Sequence, residues 1–207
     1  RVNRAVVAEM IKRGQRDNFS LFATYMRGDK QKQAIPRALT NRAVKRFALP
    51  GQIKEWLWGT AISLPDYWYP QADVLFAPSF FELPLGTKKK SVLVIYDMTT
   101  ALFPGQRGYE VSHRLTKRAI LAAHKANAVI TISHQTKADL VKIGKIDPNK
   151  VYPIHLAADP IFKPMPAVKK APLILAVGTL EPRKNFARVI QAYAKLPVYL
   201  IKQYKLV

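Results

Sequence analysis

Leu173-Ile-Leu-Ala-Val177 leads directly into Gly178-Thr-Leu-Glu-Pro-Arg183-Lys184-Asn185 and then into Phe186-Ala-Arg-Val-Ile-Gln-Ala-Tyr193. An apolar run, a glycine and then apolar residues at helical spacing predict a buried strand, a turn and a helix. At such a junction the glycine lets backbone approach a ligand, the helix start offers unpaired N–H groups, and Arg183 and Lys184 add two adjacent cations. The same residues also describe an ordinary strand-to-helix connection with solvated cations. Only the rest of the chain can decide between a diphosphate cradle and a plain turn.

Upstream, the same alternation of short apolar runs and helical periodicity recurs. Residues 73–77 and 91–96 read as strands buried in a parallel sheet, 110–126 as a helix, and 128–132 as another strand. Ser133 is placed to cap a helix that runs to about 143. Residues 147–150 read as a turn, 151–156 as a strand, and the proline-rich stretch from 159 as a linker. Nearer the start, Val2, Ala5, Val6 and Met10 share one helical face, so the chain opens inside a helix. Residues 18–25 read as a strand closed by Gly28-Asp29. Strands alternating with helices predict an α/β, Rossmann-like parallel sheet with helices on both faces and ligands at the carboxyl ends of its strands.

Residues 30 to 60 are basic and amphipathic, with Arg37, Arg42, Lys45, Arg46 and Lys54 leading into Trp56, Leu57 and Trp58. A cationic helix with aromatic residues can rest on an anionic lipid surface, each nearby cation contributing about 1 kcal/mol. Arg42, Lys45, Arg46, Trp56 and Trp58 are therefore the membrane-surface candidates. The alternative is a solvated cationic face with its tryptophans in the core.

Composition bounds the partners. The 34 Lys and Arg outnumber the 13 Asp and Glu, for a net charge of +21, which favours polyanions of every kind: nucleic acid, anionic lipid or phosphorylated substrate. No uncharged stretch approaches the roughly 20 apolar residues that span a bilayer. With no cysteine, disulfides and thiolate metal centres are excluded, which fits a reducing compartment without establishing one. The four histidines show no close-paired metal spacing and read as structural or solvated. There is no Walker loop, no dinucleotide glycine fingerprint, no nucleophile elbow and no pair of aspartates two residues apart. Without a metal-binding carboxylate pair, a diphosphate would have to be neutralised by arginine, lysine and backbone N–H groups.

Three blocks in order carry a family likeness: Val94-Ile-Tyr-Asp97-Met-Thr-Thr-Ala-Leu-Phe-Pro104; Ala126-Asn-Ala-Val-Ile-Thr-Ile-Ser133 through Thr136, Asp139 and Leu140; and Leu175-Ala-Val-Gly-Thr-Leu-Glu-Pro-Arg-Lys-Asn185. Between the last two, His155-Leu-Ala-Ala-Asp159-Pro-Ile-Phe162 looks like the end of a first domain. In these features the chain resembles the GT-B retaining glycosyltransferases of family four. The resemblance implies two Rossmann-like domains facing each other across a cleft, the first for the acceptor and the second for the nucleotide sugar. Residues 1–158 would form the acceptor-side domain, 159–171 a linker, and 172–207 the first strand-helix unit of the donor-side domain.

The resemblance also implies roles. Arg183 and Lys184 would neutralise the donor diphosphate, with Gly178 and Thr179 bringing backbone close to it. Asp97 would orient an acceptor hydroxyl or support charge at the sugar, or else cap the segment that follows it. Tyr96 stands where the family usually carries a histidine. No metal and no cofactor beyond the nucleotide-sugar substrate are implied. The expected partners are that donor, a lipid-linked or saccharide acceptor and an anionic membrane surface, with no nucleic acid, at the cytoplasmic face of the membrane.

The departures from the family pattern are equally specific. The family's first strand and glycine-rich loop have no counterpart before the opening helix, and its acidic donor motif has none after residue 185. Residues 172–207 hold too little apolar surface to stabilise themselves. These residues alone are expected to be a fragment without glycosyl transfer activity. The competing readings are a basic nucleic-acid-binding module and a non-catalytic scaffold.

Overall fold

The computed structural model describes residues 2–14, 16–25, 43–48, 50–60, 62, 64–68, 70–159, 161–164 and 171–207. They divide into two compact units, Arg1–Leu156 and Ala157–Val207.

The first unit is α/β. It opens with α1 (Val2–Arg13), followed by β1 (Ser20–Tyr25) and β2 (Ala43–Ala48), which pair in parallel. Lys45 and Arg46 therefore lie in a strand, not in the expected cationic helix. Pro50 explains the break: proline cannot continue a helix from its N-terminal side, and it sits at the cap of α2 (Gly51–Gly59). Arg42 and the Gly28-Asp29 turn lie outside the described residues. A short α3 (Leu64–Trp68) follows.

Four parallel strands then form the sheet that organises the unit: β3 (Val74–Ala77), β4 (Lys90–Ile95), β5 (Ala128–Thr131) and β6 (Val151–Pro153), in that spatial order. Between β4 and β5 come the short α4 (Thr99–Leu102) and the long α5 (Tyr109–Lys125), and between β5 and β6 comes α6 (His134–Gly144). This is the Rossmann-like alternation expected from the apolar runs, with helices flanking the sheet. Register pairs Ile95 with Thr131 and Thr131 with Pro153, so the carboxyl ends of β4, β5 and β6 lie along one edge.

The core is built on small and branched side chains. Leu93, Ile95 and Val129 are fully buried. Ala119, Ala122, Ala123 and Ala126 face the same cluster at the end of α5, where short side chains let the helix approach the sheet closely. Gly144 serves the same purpose. A Cβ there would stand 3.3 Å from Ile146 and 3.4 Å from Ile120. Arg118 of α5 fastens the β3–β4 connection and the end of α2, donating from Nη2 to the Leu83 carbonyl at 2.6 Å and, more weakly, to that of Trp58 at 3.4 Å.

The second unit holds β7 (Leu173–Ile174) and β8 (Lys205–Leu206), paired in parallel, with α7 (Phe186–Ala194) and α8 (Val198–Gln203) between them. Residues 173–177 do not form the expected buried strand. Only Leu173 and Ile174 enter the ladder, and Leu175 and Val177 are 64% and 84% exposed. A strand is buried on both faces only when neighbouring strands and two helical layers cover it, and among the described residues this sheet has two short strands. None of residues 171–207 is fully buried.

Candidate functional site

The first candidate region is the carboxyl edge of the four-stranded sheet. Chain leaving β4 turns outward at Tyr96 and Asp97, held in place by Met98, which is buried. Tyr96 is tied down at two points. Its hydroxyl donates to Asn3 Oδ1 of α1, and its carbonyl accepts from Thr136 Oγ1 of α6 at 3.3 Å. Burial pushes the Tyr96 phenol above its ordinary value. Tyr96 is thus a tether between three elements, its hydroxyl proton already committed to Asn3.

Asp97 differs. It is exposed, and its Oδ1 accepts from the Thr99 backbone N–H at 2.9 Å, fixing the turn into α4. Its second oxygen makes no hydrogen bond among the described residues. One oxygen caps the backbone and the other can meet a ligand, so the two readings of this residue are compatible.

On the neighbouring strand end, Ser133 caps α6, its Oγ accepting from Thr136 N–H at 3.0 Å. Just beyond lie His134 and, past β6, His155, whose ring centroids are 5.6 Å apart. The sequence gives no hint of this pair, because only parallel registration of β5 and β6 brings the two residues together.

The second candidate region is the turn from β7 to α7. A 3-10 turn over Pro182–Lys184 leads into α7 through Asn185 in the left-handed conformation, φ 54°. Gly178 packs beneath Phe186: a Cβ would meet Phe186 Cζ at 3.2 Å, tighter than ordinary contact, so the glycine is there for close approach. Glu181 organises the loop, accepting from Thr179 Oγ1 at 2.8 Å and from Arg183 Nε at 2.7 Å. The Thr179 hydroxyl first, and then Arg183, hold the Glu181 carboxyl below the usual range. Lys184 is exposed, and its ammonium makes no ion pair or hydrogen bond among the described residues. Among the described residues the turn thus presents one cation with no direct partner, whose charge also acts on Glu181, and one already engaged by that carboxylate.

The α2 region resolves the expected surface pair of tryptophans into two different residues. Trp56 is 63% exposed, beside Ile53. Trp58 is 2% exposed: its indole donates to the Glu82 carbonyl at 3.1 Å and its ring packs near Phe22. Trp58 is therefore core and cannot face a membrane. On a helix, neighbours two apart point to different sides, so one had to turn inward. Part of the positive charge is likewise structural. Lys89 Nζ binds the carbonyls of Pro70 and Ala72, and Lys150 Nζ those of His124 and Ala126. Among the described residues no helix is long and apolar enough to cross a membrane, and no group of three or more His, Asp or Glu could together hold a metal ion.

No protein-family model matches the chain. It is similar to the O-antigen chain mannosyltransferase B of Escherichia coli, 23% identical over 158 residues, which cover 71% of this chain and 40% of that protein. The chain thus spans less than half the length of the curated relative it matches. The parallel α/β sheet is compatible with that similarity.

Proposed function

We propose that the chain is part of a GT-B glycosyltransferase of the family-four, retaining kind, which moves a sugar from a nucleoside-diphosphate sugar to a saccharide or lipid-linked acceptor. The observation that carries this reading is the turn from Gly178 to Lys184, a strand-to-helix junction with an ammonium that makes no direct ion pair among the described residues and a guanidinium held by its own loop. The similarity to a mannosyltransferase supports the same reaction class.

The chemistry follows from charge. As the glycosidic bond breaks, negative charge grows on the departing nucleoside diphosphate, and fixed cations stabilise it more strongly then than in the ground state. Lys184 meets the phosphates directly. Arg183 reaches them by exchanging Glu181 for a phosphate oxygen, and a guanidinium can hold that oxygen in bidentate fashion. Gly178 and Thr179 bring backbone near the same anion. Asp97 orients the acceptor hydroxyl through its unbonded oxygen while the other oxygen keeps the turn in place. The phosphates need no divalent ion when two cations neutralise them.

The exposed Ile53, Trp56, Ile62 and Tyr67, with the large positive charge, support contact with an anionic membrane surface at the cytoplasmic face. The decisive experiment is a sugar-transfer assay on the complete polypeptide that contains these residues. Arg183→Ala or Lys184→Ala is expected to lower kcat about a hundredfold. Unchanged kcat in both variants would overturn the assignment. The 207 residues alone are expected to bind a nucleoside diphosphate weakly and to turn over no nucleotide sugar.

A further inference from the structure

His134 opens α6 and His155 follows β6, and both are exposed. Their rings approach to 5.6 Å between centroids at an interplanar angle of 77°. Neither imidazole hydrogen-bonds to another described residue, so among those residues the four ring nitrogens have no partner.

The backbone beneath the pair is firmly held. Ile154 N–H donates to the Thr131 carbonyl at 2.7 Å, continuing the pairing of β5 and β6 up to the residue before His155. On the other side, Thr131 Oγ1 donates to the Ser133 carbonyl at 3.2 Å, and Ser133 caps the first turn of α6. The backbone is thus held at Ile154, the residue before His155, and at the first turn of α6, which His134 opens.

We propose that His134 and His155 form a two-imidazole site for a borderline divalent transition-metal ion of the Zn2+ class, with its remaining positions taken by water or an anionic ligand. The spacing fits. With a Zn–N distance of about 2.0–2.1 Å and about 1.1 Å from nitrogen to ring centre, a tetrahedral ion sets two imidazole centroids about 5.2 Å apart. The observed separation differs by a few tenths of an ångström, and the direction of each ring nitrogen is set by χ2, a torsion with broad wells.

Ligand type decides the metal. Imidazole suits Zn2+, Cu2+ and Ni2+, whereas Mg2+ and Ca2+ need oxygen donors that this pair lacks. With two protein ligands the site is open and of moderate affinity. It lies on the same sheet edge as Asp97, one strand away, but it does not depend on the glycosyltransferase reading and adds no step to it.

The test uses ZnCl2 and the full chain in buffer without chelating anions, read by calorimetry and by NMR of the imidazole C–H resonances. One equivalent of Zn2+ is expected to bind, shifting His134 and His155 together while His113 and His124 stay unmoved. His134→Ala and His155→Ala should each weaken binding at least tenfold. His155→Gln, which keeps a polar side chain of similar reach, should do the same, with unchanged circular dichroism showing that the fold is intact. Affinity untouched by these changes, or equal response from all four histidines, overturns the proposal and leaves the pair as edge-to-face packing alone.

Discussion

Arg183 Nε lies 2.7 Å from Glu181 Oε2, so the guanidinium proposed to receive a diphosphate is held by a carboxylate of its own loop. The Arg183 side chain is 28% exposed and that of Glu181 40%, which makes this a solvent-screened pair that a doubly charged ligand can displace. On the proposed reading the carboxylate is a placeholder that holds the guanidinium until an anion arrives.

Glu181→Gln should therefore strengthen nucleoside-diphosphate binding several-fold by freeing Arg183. Calorimetric titration of the variant chain checks this. Weaker binding would mean that Glu181 orients the arginine and does not merely occupy it.

The pH response of the loop has a definite sign. The Glu181 carboxyl sits below its ordinary value of 4.5, so the folded loop is favoured above that value and loses this contribution as pH falls through the lowered one. NMR titration of the Glu181 side-chain carbon is expected to show a midpoint below 4.5 that rises in Thr179→Ala and in Arg183→Ala. A midpoint that neither change moves would sever the proposed link between the three side chains.

Trp56 and Trp58 separate surface from core. Trp58→Ala removes a ring that is 2% exposed and should cost about 3–5 kcal/mol. Trp56→Ala should change stability by less than about 0.5 kcal/mol, yet lower sedimentation with anionic vesicles. Chemical denaturation and a vesicle assay on the same samples distinguish the two. Equal vesicle binding by Trp56→Ala and the unmodified chain would remove the case for this membrane contact.

At the sheet edge, Tyr96→Phe deletes a hydrogen bond to Asn3 and should destabilise the fold by about 1 kcal/mol while leaving transfer by the complete polypeptide nearly unchanged. Because the folded phenol is raised above its ordinary value of 10.0, the unfolded chain releases its proton first, and stability falls as pH climbs past that value. The Phe variant should lack that alkaline loss. Asp97→Asn is expected to behave oppositely, keeping the turn through its side-chain oxygen while lowering kcat.

Much of the first unit was legible because local and tertiary signals agree there. The apolar run ending at Ile95 and the one ending at Thr131 are strands that only a parallel sheet can bury, and Ser133 caps α6 through its own hydroxyl as its position before the helix required. Other features depended on neighbours that a linear reading does not supply. Leu175 and Val177 carry strand-like side chains but lie exposed beyond a two-residue ladder. Lys45 and Arg46 belong to a strand because their segment pairs with β1, and Pro50 separates it from α2. The turn at Gly178 was readable as a place of close approach, yet the group that approaches is Phe186, and the carboxylate engaging Arg183 stood in the quoted motif without revealing its partner. The histidine pair is the clearest case, since its spacing is a property of strand registration.

The alanines that line the end of α5 leave no slack between that helix and the sheet. A bulkier residue at Ala122 would act as a wedge, tilting the sheet edge around which Asp97, His134 and His155 are arranged without altering any of them. Such a substitution could retune the geometry of the whole edge from beneath, so natural variants or laboratory selections with changed behaviour should be sought along this hidden seam as well as among the groups that meet solvent.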